Sequence, residues 1–198
     1  MNRGSSKPFL LFIMTAAVIA LAFGSAGARP RECEGPPQLD RMAAFGFISY
    51  VKPECDRHFV RKAEDGYMLE AALGERAAER AASADVQRFG RMMANCNTFA
   101  GKRLMEIAKD NDLEVHTDMD REDREAILHL AKIEGPDFDR EYMNQAIKDQ
   151  EDNVKLFEQM ANEVTNPDLK CYAQQTIPVL RRHLQMARNI YSKIEGQG

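Results

Sequence analysis

The chain has 198 residues, a formal charge of −4, four Cys and no Trp. That length suits one domain with a sizeable core. The Ala, Met, Leu, Glu and Arg content favours helices over strands. The acidic balance and the lack of any basic block exclude nucleic acid as a partner, because phosphate contacts need clustered Lys and Arg.

Residues 1–28 read as a secretory signal peptide. Arg3 and Lys7 supply the positive region, Phe9 to Phe23 the apolar region, and Ala26-Gly27-Ala28 the small residues for cleavage. The apolar run is short for a bilayer span and no stop-transfer segment follows, so no stable membrane span is expected after cleavage. These features place the mature chain in the periplasm or outside the cell, where disulfides are permitted. Residues 29–55 read as an N-terminal extension. It opens with an irregular leader containing Pro30, Gly35, Pro36 and Pro37. A short amphipathic helix over Leu39 to Val51 follows, broken at Lys52-Pro53.

Residues 56–195 carry four long amphipathic stretches. Asp56 is the expected N-cap of the first. Its seam reads Phe59, Ala63, Gly66, Glu70, Leu73 and Ala77, small enough for a neighbouring helix to approach closely. Ser83 or Asp85 caps the second stretch, whose seam is Val86, Gly90, Met93, Asn97, Ala100, Leu104 and Ile107. After the polar residues 112–119, a shorter helix is expected over Asp120 to Glu134. Gly135-Pro136 stops it and starts the third long helix, with the seam Met143, Ile147, Gln150, Val154, Phe157, Ala161 and Val164. Asn166-Pro167 turns the chain into the fourth, which carries Ala173, Leu180, His183 and Ala187 and an internal Pro178. Four long helices and three connections make an all-α four-helix bundle.

Each long helix carries one inward polar residue near its middle: Glu70, Asn97, Gln150 and His183. In a bundle the middles fall at one height, so these four form a polar layer in an apolar core. Burying such groups is costly unless they are paired. Two readings are open: a hydrogen-bonded layer that fixes helix register, or a metal site built on Glu70 and His183. His58, His116 and His129 read as solvated, and Met92, Met93, Met160 and Met186 as core filler. No nucleophile–base pair, phosphate loop or Cys-x-x-Cys spacing is present, so no catalytic residues are assigned.

Five segments carry a family resemblance: Phe59-Val60-Arg61-Lys62-Ala63, Gly66-Tyr67-Met68-Leu69-Glu70, Phe89-Gly90-Arg91-Met92-Met93, Phe138-Asp139-Arg140-Glu141-Tyr142-Met143 and Pro178-Val179-Leu180-Arg181-Arg182-His183-Leu184. Through them, Phe59 to Ile190 resembles the bacterial family of secreted ferritin-like proteins known as a domain of unknown function, number forty-one forty-two. The resemblance implies a ferritin-like bundle outside the cytoplasm, with a crossover holding the short extra helix, and it implies no established activity. The family pattern has Asp-His where this chain has Cys96-Asn97, and Asp-His-Glu where it has Asp149-Gln150-Glu151. Glu70 and His183 match. One Glu and three His on facing helices would suit a transition metal, but two of those imidazoles are amides here.

The functional expectation is a non-catalytic, extracytoplasmic ferritin-like bundle without a cofactor, serving as a binding module in envelope or stress physiology. It could form a homo-oligomer. The alternative is a metal-binding or redox protein using Glu70 and His183. In a ferritin-like topology residues 111–135 cross the bundle length. Cys55 and Cys171 then reach the same end, and a Cys55–Cys171 disulfide is expected.

Overall fold

The computed structural model describes residues 54–196. Residues 1–28, read from the sequence as a signal peptide, and nearly all of residues 29–55, read as an N-terminal extension, lie outside them. Five helices follow in order: α1 (Glu54–Arg80), α2 (Ala84–Asp110), α3 (Arg121–Leu130), α4 (Gly135–Glu163) and α5 (Pro167–Glu195). The four long ones build an all-α, ferritin-like four-helix bundle, and α3 is the extra helix of the crossover.

The hydrogen bonds across helix ends fix the topology. Asp56 at the start of α1 accepts from Thr165 and Asn166, between α4 and α5. Asn111 at the end of α2 bonds Asn166 and Asp168 at the start of α5. At the other end, the α1–α2 corner meets Asp139 of α4, and Asp85 of α2 meets Lys193 of α5. Both α1 and α5 therefore run one way, and α2 and α4 the other. The chain must cross the bundle length between α2 and α4, which gives the expected crossover. Glu64 of α1 holds its first part by accepting the His116 backbone N–H at 3.1 Å. Arg80 fixes its far end through the Ala131 carbonyl and Glu134.

Local sequence explains the helix boundaries. Ser83 caps α2 through Asp85 N–H, and Asp120 caps α3 through Asp123 N–H. Asn166 caps α5 by accepting from the Asp168 and Leu169 amides, with Pro167 in the first turn. Gly135 has φ 63°, a left-handed conformation that glycine adopts freely and that turns the chain into α4. The crossover helix is shorter than expected: after Ala131 closes the last helical turn onto Ile127, Lys132 and Ile133 tighten into i→i−3 bonds to His129 and Leu130.

Contrary to the expectation from sequence, Asp56 does not cap its own helix. The helix already runs from Glu54, and the buried Asp56 carboxylate takes the Thr165 N–H at 2.8 Å, the Thr165 hydroxyl at 3.0 Å and the Asn166 N–H at 3.2 Å. Asp139 of α4 does the same for the other corner, taking Ala82 N–H at 2.9 Å and Ser83 N–H at 2.7 Å. Each helical hairpin thus has its corner closed by a carboxylate from the other hairpin. Both carboxylates are buried, and hydrogen bonds to a charged acceptor contribute more than neutral ones. Asp139→Ala is expected to cost about 2 kcal/mol or more in urea unfolding. Asp139→Asn keeps one acceptor and should lose less. Equal stability of the alanine variant and the parent would show that the clamp contributes nothing.

The expected Cys55–Cys171 disulfide is not formed. Cys55 and Cys96 are free thiols, whereas Cys171 is disulfide-bonded. Cys55 and Cys171 do reach the same end of the bundle, but a shared end is not enough. The main packing partners of α1 are α2 and α4, and those of α5 are α4 and α2. The helices carrying Cys55 and Cys171 therefore stand on a diagonal of the bundle, with core between them. A disulfide needs Cα atoms within roughly 7 Å.

Helices α1 and α2 approach most tightly at two glycines. A Cβ on Gly74 would lie 2.7 Å from the Gly90 carbonyl oxygen and 2.8 Å from the Ala94 nitrogen. One on Gly90 would lie 2.6 Å from Ala77 Cβ and 2.7 Å from the Gly74 carbonyl oxygen. The close approach expected of α1 is found, but at Gly74, which lies beside the seam read from the sequence; Gly66, within that seam, faces Asn153 of α4 instead.

Candidate functional site

The core divides into two apolar clusters. One holds Phe59, Tyr67, Leu104, Phe157, Tyr172 and Leu180. The other holds Leu73, Phe89, Met93, Phe138, Met143 and Ala187. On α1 the boundary falls between Tyr67 and Leu73, on α2 between Met93 and Leu104, and on α5 between Leu180 and Ala187. Glu70, Asn97 and His183 sit in those gaps, and Gln150 lies in the matching gap of α4. All four are buried, Gln150 completely.

Glu70 is the centre of this layer. Its carboxylate accepts from Asn97 Nδ2 at 2.9 Å and from Gln150 Nε2 at 2.8 and 2.7 Å. A third amide, Asn153 Nδ2, donates at 2.6 Å. Asn97 also donates to the Met93 carbonyl one turn back. Asn153 was not among the residues singled out from the sequence. It lies next to Asp152 in a polar run that looks like a solvated face. The available signal was its spacing, three residues after Gln150, which puts it on the same side of the helix. Gly66, one turn before Glu70, makes the room: a Cβ there would meet Asn153 Oδ1 at 3.2 Å.

Among the described residues no cation pairs with this carboxylate. Burial, reinforced by the negative charge of Asp149, raises Glu70 from 4.5 to about 8, although the three amides pull the other way. Asp149 is itself pushed up to about 6, mainly by burial. Its Oδ1 accepts from Gln145 at 2.7 Å, and its buried Oδ2 has no hydrogen-bond partner among the described residues.

His183 shares the layer but not the network. No hydrogen bond or ion pair joins it to Glu70, and its buried Nδ1 has no partner among the described residues, as is true of Gln150 Oε1. Burial and the neighbouring Arg182 lower its pKa, which favours the neutral imidazole. The other three histidines are exposed. Next to the layer, Tyr172 Oη donates to the Ala100 carbonyl at 3.0 Å, which leaves Tyr67 Oη to donate to Tyr172 Oη at 2.6 Å.

As a ligand set the layer is weak. The Glu70 oxygens are filled by amide donors, and amide oxygens are poor ligands for zinc, iron or copper. Among the described residues no group of three or more His, Cys, Asp or Glu is arranged to hold a metal ion. No reactive nucleophile is poised either, since burial raises the Cys96 thiol pKa and so disfavours the thiolate.

No curated protein matches the chain. Among solved structures it is similar to the crystal structure of a DUF305 fragment from Deinococcus radiodurans, with a TM-score of 0.64 and 11% identity. That match covers 72% of this chain and 98% of the other. At such identity the likeness concerns the fold alone. The family described as a domain of unknown function (DUF4142) matches residues 51–190, most of the chain, including Glu70, Asn97, Gln150 and His183. The chain therefore belongs to the DUF4142 family.

Proposed function

We propose that this protein is a non-catalytic, extracytoplasmic helical bundle, a binding module of envelope or stress physiology whose polar layer fixes helix register. The observation that carries the non-catalytic reading is the saturation of Glu70 by Asn97, Gln150 and Asn153. A carboxyl group held in this way orders three helices, and both of its oxygens are engaged by amide groups rather than open to a substrate or metal. The location rests on the signal-like residues 1–28 and on the disulfide at Cys171, which suits an oxidising compartment. Among the described residues no helix is long and apolar enough to cross a membrane.

The second reading, a metal site using Glu70 and His183, is favoured by one observation: the unpartnered, buried Nδ1 of His183. Thermal melting with zinc or iron(II) separates the two, because a ligand that binds only the folded state raises the melting temperature by mass action. The unmodified protein should show no shift. Converting Asn97→His and Gln150→His together should create one. A clear shift in the unmodified protein, lost in His183→Ala, would overturn the register reading.

A further inference from the structure

Two soft sulfur donors face each other at the end of the bundle where α1 begins. Cys55 Sγ lies 4.0 Å from Met160 Sδ, across from α1 to α4. The thiol is free and half-buried, so it is reachable from solvent. Met160 is 3% exposed and its sulfur is turned onto that thiol. Thiolate and thioether sulfurs together select soft ions such as Cu(I). With metal–sulfur bonds near 2.3 Å, a linear S–metal–S unit spans about 4.6 Å, so the sulfurs need part by only ~0.6 Å.

We propose that Cys55 and Met160 form a two-sulfur site for a soft monovalent metal ion of the Cu(I) class. Binding replaces the thiol proton: the ion bonds to the thiolate and to the thioether, one proton leaves to solvent, and no electron is transferred. The surroundings suit a cation. The carboxylates of Asp56 and Glu163 lie close enough to oppose the bare thiolate, and with burial they raise the thiol pKa. A bound cation cancels that repulsion. The site lies in the first turn of α1 and is separate from the Glu70 layer.

The test uses Ag(I), a redox-inert probe, on the full chain carrying Cys96→Ser, so that Cys55 is the free thiol that remains among the described residues. Competition against a chromophoric chelator should give one ion per chain, with release of one proton. X-ray absorption should show two sulfurs around silver, and selenomethionine-labelled protein should show a silver–selenium contact. Cys55→Ser should abolish binding. Met160→Leu nearly conserves volume and should weaken it at least tenfold. Binding of equal strength in Met160→Leu, or a shell without selenium in the labelled protein, would overturn the proposal. The labelled protein decides the question even if Met160→Leu fails to fold.

Discussion

Gly90→Ala is expected to destabilise the protein by about 3 kcal/mol, although alanine is the better helix former by roughly 1 kcal/mol. The new Cβ would sit 2.6 Å from Ala77 Cβ and 2.7 Å from a backbone oxygen of α1. Neither is the far end of a flexible side chain, so the helices themselves must separate. At 2–4 °C per kcal/mol for a chain of this size, the melting temperature should fall by roughly 6–12 °C. Gly101→Ala is the control. Its Cβ would meet Tyr67 at 3.5 Å, an ordinary contact, so the propensity gain should survive and stability should rise by up to ~1 kcal/mol. If both variants rise together, the close approach of α1 and α2 has been misjudged.

Glu70→Leu should be comparably costly, about 3 kcal/mol or more, because it strands the amides of Asn97, Gln150 and Asn153 without their acceptor. The more diagnostic variant is Glu70→Gln, read against pH. The folded-state pKa of Glu70 is raised, from 4.5 to about 8. Its contribution is therefore fully present below the unfolded value near 4.5, and is lost as pH rises through about 8. Asp149 and Asp123 act in the same direction, but each is pushed up only to about 6 and is largely exhausted above that. His183 acts the other way: its pKa is lowered, so its contribution is present above 6.5 and lost as pH falls below that. From pH 6.5 to 8.5 the difference between the parent and Glu70→Gln reports Glu70, because Glu64, Cys55 and Cys96, whose pKa values burial also raises, are common to both. Across that range the parent should lose about 2 kcal/mol more unfolding free energy than Glu70→Gln. Parallel pH profiles would mean that Glu70 is already ionised well below pH 6.5.

The seams and punctuation made the bundle legible. Glu70, Asn97, Gln150 and His183 break otherwise apolar seams, and Gly135-Pro136 and Asn166-Pro167 mark where helices stop. Long-range partners escaped. Asp56 looks like a local cap because sequence shows only its neighbours, whereas its carboxylate serves a corner 109 residues away. Asp139 gave no signal for the same reason. Asn153 was hidden by its polar neighbours, and only three-dimensional packing shows that Gly66 opens a space for it. The cysteines failed on another point. Helix lengths give the height of Cys55 and Cys171, but which helices are diagonal depends on how the two hairpins dock.

The crossed carboxylates also set an order of events during synthesis. The α1–α2 hairpin emerges first, with the Ala82 and Ser83 amides at its corner still lacking their acceptor. Asp139 follows 56 residues after Ser83, so at 5–20 residues per second the corner waits roughly 3–11 s. The dependence runs both ways, since the second corner closes on Asp56, made long before it. A nascent or truncated first hairpin therefore holds half a core and an unfinished turn. The final structure can arrive only when the second hairpin does.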